Sequence, residues 1–246
     1  EKKIIIIDIH DKFTDQSKLE KIGDLEYESF LNTGEDNFVW KMPEDEWQAI
    51  SLSYTSGTTG NPKGVLLSHK NLIAAGKNVE NAHSIKKSDI ALCILPTYHI
   101  NGLCVTVIGT LVSSSGLVIP YKFSTNKFWD LIKKYKCSWF SAVPTQFAYL
   151  LNDNKKIKDE IKTLRFARSA SAPLSPEIHR KFENRFKIPI IETMGLTETG
   201  AQILSNPLPP RERKIGSPGI AFGNKISIVD ENGKQLPANS SGEILV

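Results

Sequence analysis

The stretch Tyr54-Thr-Ser-Gly-Thr-Thr-Gly-Asn-Pro-Lys-Gly64 constrains this chain more than any other. Its eleven residues hold three glycines (Gly57, Gly60, Gly64), four small hydroxyl side chains (Thr55, Ser56, Thr58, Thr59) and one lysine, Lys63. Glycine lets a backbone turn sharply and approach an anion closely, while hydroxyls and an ammonium add donors and positive charge. Such a composition suits a loop wrapped around phosphate. Before it Ile50, Leu52 and Tyr54 alternate, and after it Val65-Leu-Leu67 resumes an apolar run, so the pattern predicts a strand, loop, strand hairpin. The Walker loop differs, because it needs four residues between its first glycine and a Gly-Lys-Ser/Thr triplet and then opens a helix. Here Lys63 follows Pro62 and precedes Gly64.

Beyond the loop, predicted helices and strands alternate. A helix is expected over about 70–83 and a strand over Ile90 to Leu95, ended by Pro96. An apolar helix follows over Leu103 to Val112, then a strand over Leu117 to Ile119. Ser124 reads as the N-cap of a helix whose Phe128, Leu131, Ile132 and Tyr135 share one face. Next come a strand over Ser138 to Val143 closed by Pro144, a helix around Gln146 to Leu151, and a strand near Leu164 to Ala167. Ser175-Pro176 opens a helix bearing Ile178, Phe182 and Phe186, and a strand over Ile188 to Ile191 ends the series. The expected fold is α/β, a largely parallel sheet flanked by helices, whose ligands bind beyond the carboxyl ends of the strands. His99, Ser169 to Pro173 and Thr193 to Glu198 occupy such ends. From Gly200 the texture changes to prolines, a basic cluster, an alternating run over Lys225 to Asp230, a turn at Glu231-Asn-Gly233 and a strand beginning near Gly242. The chain therefore divides into a core over 1–205 and the start of a small β-rich subdomain over 206–246.

Composition narrows the remaining classes. With 246 residues, 40% of them hydrophobic, the chain can bury a large core. Its net charge of +4, from 31 basic against 27 acidic residues, is spread along the chain and does not point to nucleic acid. The dense charge run Asn152 to Lys162 carries both signs and reads as a solvated segment. No apolar run approaches the roughly 20 residues of a spanning helix. The N-terminal isoleucines, Ile4 to Ile7, read as a buried strand and not as a signal peptide. Cys93, Cys104 and Cys137 lack CxxC spacing and sit in apolar company, as reduced core residues of a cytoplasmic protein do.

Four segments carry a resemblance to a known family. Tyr54 to Gly64 resembles the phosphate loop of the adenylate-forming superfamily, which includes acyl- and aryl-CoA synthetases, luciferases and the adenylation domains of peptide synthetases. Leu95-Pro-Thr-Tyr-His99 resembles that family's second segment, and Ser169-Ala-Ser-Ala-Pro-Leu174 its adenine-side loop. Glu192-Thr-Met-Gly-Leu-Thr-Glu198 resembles the segment that meets adenine, phosphate and magnesium. All four occur in the family's order, over roughly residues 50 to 220. The chain is thus similar to a central part of the family's large N-terminal domain. The family's ribose-binding aspartate, its hinge and its C-terminal lysine are expected downstream of Val246.

The resemblance implies the following roles. Thr55, Ser56, Gly57, Thr58, Thr59, Gly60 and Lys63 would hold the β and γ phosphates of ATP. Ser171, Ala172 and Pro173, with Glu192, Thr193, Met194 and Gly195, would line the adenine. Thr197 would donate to the α phosphate and Glu198, a hard oxygen ligand, would meet Mg²⁺. His99 would sit at the acyl pocket. Met194 departs from the family's usual tyrosine, so packing on the purine would be softer. The catalytic set expected is Lys63, His99, Thr197 and Glu198, whereas His69, His83 and His179 read as structural. The function implied is activation of a carboxylic acid as an acyl-adenylate, followed by thioester formation with CoA. The alternatives are a domain that loads a carrier protein and a nucleotide-binding module without catalysis.

Overall fold

Alternating apolar runs and capped helices lead to two units, 1–44 and 45–246, in a computed structural model that describes residues 5–9, 20–56, 60–153, 155, 157 and 161–246. In the first unit β1 (Ile7–Asp8) pairs in parallel with β2 (Leu25–Glu26), which leads into α1 (Tyr27–Leu31). The isoleucine run does not form the buried strand expected of it. Among the described residues of the run, Ile5 and Ile6 are 55% and 46% exposed and Ile7 alone lies in a strand; Ile4 lies outside the described residues.

The second unit opens with the expected hairpin, β3 (Ala49–Thr55) antiparallel to β4 (Lys63–Ser68), with Tyr54 opposite Gly64. Its apex, Gly57 to Thr59, lies outside the described residues. Alternation in β3 leaves Ser51, Ser53 and Thr55 half-buried and turns Ile50, Leu52 and Tyr54 outward, the reverse of an apolar-inward strand. Ser68 then caps α2 (His69–Ala82) in a reciprocal box, its Oγ accepting from Asn71 N at 3.2 Å while Asn71 Oδ1 accepts from Ser68 N at 3.0 Å.

The main sheet has seven strands: β5 (Ile90–Cys93), β6 (Gly116–Val118), β7 (Trp139–Ala142), β8 (Phe166–Ser169), β9 (Ile190–Leu196), β10 (Ala201–Ser205) and β11 (Ile220–Ala221). Their order is β11-β10-β9-β8-β7-β5-β6. From β6 to β9 every pairing is parallel, as expected, but β9-β10 and β10-β11 are antiparallel, so the sheet is mixed. This corrects the end of the series: the strand expected to stop at Ile191 runs on to Leu196, and the chain turns straight back through β10. The reversal requires Gly195, where a Cβ would lie 1.7 Å from Ala201 O.

Helices cover both faces. Trp139, Phe166, Ile191 and Ala91 point to the side packed by α2 and by the segment Asn101–Ile108. That segment is wound as a π-helix before it continues as α3 (Gly109–Val112), so the helix expected from Leu103 starts earlier and wider. Leu92, Phe140, Ala167 and Ile190 point to the opposite side, packed by α4 (Thr125–Tyr135), α5 (Pro144–Asn152) and α6 (Pro176–Phe186). Pro144 opens α5 instead of closing a strand, as its missing N–H allows at a first helical position. Ser175 caps α6 through its Oγ as expected, whereas Ser124 stands at the N-cap of α4 without a side-chain hydrogen bond. A separate pair, β12 (Ser227–Val229) and β13 (Glu243–Leu245), is antiparallel. The three cysteines are free and buried, and desolvation raises the thiols of Cys104 and Cys137 to about 11.

Phe140 is fully buried in the interior strand β7, edge-on to Phe128. Phe140→Ala is expected to cost about 3–5 kcal/mol in urea unfolding, through lost transfer energy and an unfilled cavity.

Candidate nucleotide and acid site

The carboxyl ends of the parallel strands converge as the fold predicts. Leu95, Pro96 and His99 follow β5, Val143 follows β7, Ser171 follows β8, Leu196 ends β9, and Thr197 and Glu198 follow it. Together with Thr55, Ser56 and Lys63 from the hairpin, they line one cavity of about 930 Å³. Beside it lies a cavity of about 350 Å³ walled by Ser169, Ser171, Ala172 and Pro173 and by Glu192 to Leu196, with Gly216 and Pro218 also lining it. Ser171 and Gly195 belong to both cavities. Ser171 adopts a left-handed backbone, φ +71°, a conformation that a non-glycine residue holds at a cost and that clusters at functional sites.

Most sequence-predicted residues meet here. Lys63, His99, Thr197 and Glu198 line the wide cavity with Thr55 and Ser56, while Ala172, Pro173, Glu192, Thr193 and Met194 line the smaller one. Gly60 has a positive φ of +93° and lines neither. Gly57, Thr58 and Thr59 lie outside the described residues. The Glu192 carboxylate is turned into the protein: its Oε1 accepts from Gly216 N at 2.8 Å and lies 2.9 Å from His179 Nδ1. Thr193 and Met194 sit on the strand itself and not in a loop past its end.

His179 links the small cavity to the helix behind it. Its Nε2 lies 3.0 Å from Glu183 Oε1, and Glu183 also accepts from Arg213 Nη1 at 2.5 Å and from Ile190 N at 2.7 Å. Burial disfavours the charged form of both groups. The hydrogen bonds from His179, Arg213 and Ile190 outweigh it at Glu183 and hold the carboxyl down to about 2, and the two carboxylates raise His179 above its ordinary value. Glu192 and Glu183 thus brace the wall that carries Gly216. His83, by contrast, is wholly buried beneath Phe166 with Nδ1 2.9 Å from Val79 O, and burial aided by Arg168 and Arg165 lowers it to about 3.

Sequence reasoning missed Asn101, Gln146 and Arg168. Asn101 and Gln146 line the wide cavity, and Arg168 lies just behind it. The signal for Arg168 was legible: a lone cation in the apolar strand Phe-Ala-Arg-Ser. A further cavity of about 390 Å³ near Lys86, Arg165 and Pro209 holds none of the motif residues.

The family model described as AMP-binding enzyme matches residues 2–246. The chain belongs to this family of AMP-binding enzymes. It is 49% identical over 204 residues to a sulfoacetate–CoA ligase of Cupriavidus necator, covering 83% of this chain and 40% of that protein. It is 36% identical to an oxalate–CoA ligase of Saccharomyces cerevisiae, covering 79% and 36%. ATP-bound MatB from Rhodopseudomonas palustris superposes with a TM-score of 0.81 at 30% identity, over 88% of this chain and 43% of that one. The chain therefore spans about 40% of the length of the relatives it matches. In this AMP-binding chain no described helix is long and apolar enough to cross a membrane.

The linkage at His179 has a definite sign. A histidine whose folded pKa is raised stabilises fully below the unfolded value of about 6.5 and loses that contribution as pH rises through the folded value. The melting temperature is expected to fall across that interval, and His179→Gln to flatten the fall; an unchanged slope in differential scanning calorimetry contradicts the assignment. Glu183 acts oppositely, its contribution being lost as pH falls through about 2.

Proposed function

We propose that the protein is an AMP-forming acid:CoA ligase acting on a small carboxylic acid. The observation that carries the reading is the convergence of Lys63, His99, Thr197 and Glu198 on a cavity that shares Ser171 and Gly195 with a second cavity of about 350 Å³, wide enough for a purine base. ATP would place its base between Ala172-Pro173 and Met194, and its phosphates along Thr55, Ser56 and Lys63. A carboxylate oxygen of the acid attacks the α phosphorus, the bond from that phosphorus to the β-bridging oxygen breaks, and pyrophosphate leaves. The CoA sulfur, giving up its proton, then attacks the acyl carbon, and AMP departs with the electrons of the acyl–oxygen bond.

This chain's part in that chemistry is alignment and charge stabilisation. Lys63, exposed at the cavity, offsets phosphate charge, and the hydroxyls of Thr55, Ser56 and Thr197 donate to phosphoryl oxygens. His99, on the turn after β5, orients the carboxylate. The site also suits Mg²⁺: Glu198 presents an exposed carboxylate to the cavity with no partner among the described residues, and no cluster of three or more candidate metal-ligating side chains occurs among them. Mg²⁺ commonly binds through one or two carboxylates plus substrate phosphates, and it would supply charge neutralisation there, held by Glu198. CoA as acceptor, in preference to a carrier protein, is supported by the relatives' names, which also favour a short acid. Three buried free thiols support a cytoplasmic setting.

Lys63→Ala and Glu198→Ala are each expected to lower acid-dependent pyrophosphate exchange by the full-length protein about 100-fold or more, the order found when a single charge-stabilising group is removed. Near-normal exchange in both variants, or the absence of a CoA thioester with every acid of a broad panel, overturns the reading.

A further inference from the structure

Arg168 stands in the middle of the sheet, on the strand β8, and is 1% exposed. Its Nη1 donates to Asn101 Oδ1 at 3.2 Å and to Ser141 Oγ at 3.0 Å, and its Nη2 to Thr193 Oγ1 and Gln202 Oε1, both at 2.8 Å. All four acceptors are neutral, and among the described residues no carboxylate pairs with it. Burial lowers this guanidinium to about 9, so it stays charged at neutral pH. An uncompensated buried charge is costly, and structural roles are met more cheaply by an ion pair or a neutral side chain.

The surroundings show where a counter-charge would come from. Arg168 Nε and Gln202 Nε2 are buried donors without partners, and both residues line a cavity of about 30 Å³. That cavity shares Ile100, Asn101, Ser171 and Gly195 with the wide cavity, so the cation lies one side chain behind the acid's wall. Because a guanidinium only donates, it fixes the amide of Asn101 with Oδ1 inward, where it also accepts from Ser141 Oγ at 3.1 Å. The Nδ2 donor is thereby turned to Ser171 Oγ, 3.2 Å away at the shared edge of the cavities.

We propose that Arg168 makes the site selective for acids that carry a second anionic group, a carboxylate or a sulfonate, received at Asn101 Nδ2 and Ser171 Oγ. Arg168 supplies the balancing charge from behind them, as a positioning residue screened little by salt because it is buried. The inference rests on the ligase reading and names the substrate class of that same site.

The test measures kcat/KM for CoA thioester formation by the full-length protein with two matched pairs, malonate against its monoamide and sulfoacetate against methylsulfonylacetate. In each pair the second anion is replaced by a neutral group of similar size, and a preference in only one pair identifies which anion is read. The native protein is expected to prefer the charged member of at least one pair by tenfold or more. Gln202→Glu sets a carboxylate against the guanidinium and is expected to reduce that preference at least tenfold; Arg168→Gln does the same, and Arg168→Lys restores much of it. A purely structural Arg168 would change rates for both members of a pair together. If Arg168→Gln does not fold, the native preference and Gln202→Glu still decide. Equal use of charged and neutral acids by the native protein, or a preference untouched by Gln202→Glu, overturns the inference while leaving the ligase reading standing. No thioester and no pyrophosphate exchange with any acid removes the ligase reading, and the inference with it.

Discussion

One desolvated guanidinium ties the carboxyl ends of the sheet together. Arg168 on β8 reaches Ser141 on β7, Thr193 on β9, Gln202 on β10 and Asn101 at the start of the π-helical segment, so a single side chain joins four strands and the element that roofs them. Strand alternation makes this possible. Phe166 and Arg168 share a face, as do Trp139 and Ser141, and Ile191 and Thr193; each strand is apolar where the sheet is packed and polar two residues on, where the cavity opens. The wide winding at Asn101 fits this arrangement. It lets Gly102 approach the backbone at Pro96, where a Cβ would stand 2.2 Å from the carbonyl oxygen, and it aims Asn101 into the sheet.

The opposite face repeats the pattern with different chemistry. Ser169 and Glu192 turn to the side of α6, where Glu192 meets His179 and the backbone of Gly216. There the charges are compensated: Glu183 faces both His179 and Arg213. The two faces thus carry contrasting electrostatics at one end of one sheet. A balanced network braces the wall of the smaller cavity, and an unbalanced cation lies behind the wall of the larger one. Buried polar networks are favourable only when their members are satisfied, and it is this imbalance at Arg168 that motivates the proposal of a second anionic group on the substrate.

Much of the fold was legible because local rules agreed with one another. The Ser175 cap, the apolar stripe of α4, and the strands β5, β7 and β8 follow from periodicity and capping within a few residues of their ends. The failures have physical causes. Ile4 to Ile7 looked buried because four isoleucines suit a core strand, but burial needs packing partners that periodicity does not report. The return strand β10 was hidden because the turn between it and β9, Thr197 to Gly200, overlaps a segment that resembles a functional loop. Pro144 was ambiguous by nature, since a proline ends a strand and starts a helix equally well.

The site divides along the same line. The sequence by itself determined the chemical inventory of the proposed site, because glycines, hydroxyls and a cation in nearby positions, the composition that suits a phosphate loop, are written locally in Thr55 to Lys63. It also determined that His99, Ser171 and Thr197 would stand at strand ends, since a parallel sheet with helical crossovers brings those ends to one edge. Only the tertiary structure decided that the Glu192 carboxylate turns inward to His179, that Ser171 takes a left-handed backbone, and that Arg168 is buried with no counterion among the described residues. Those outcomes depend on partners 13 to 67 positions away along the chain, and the balance between desolvation and hydrogen bonding that sets them exists only once the strands are assembled.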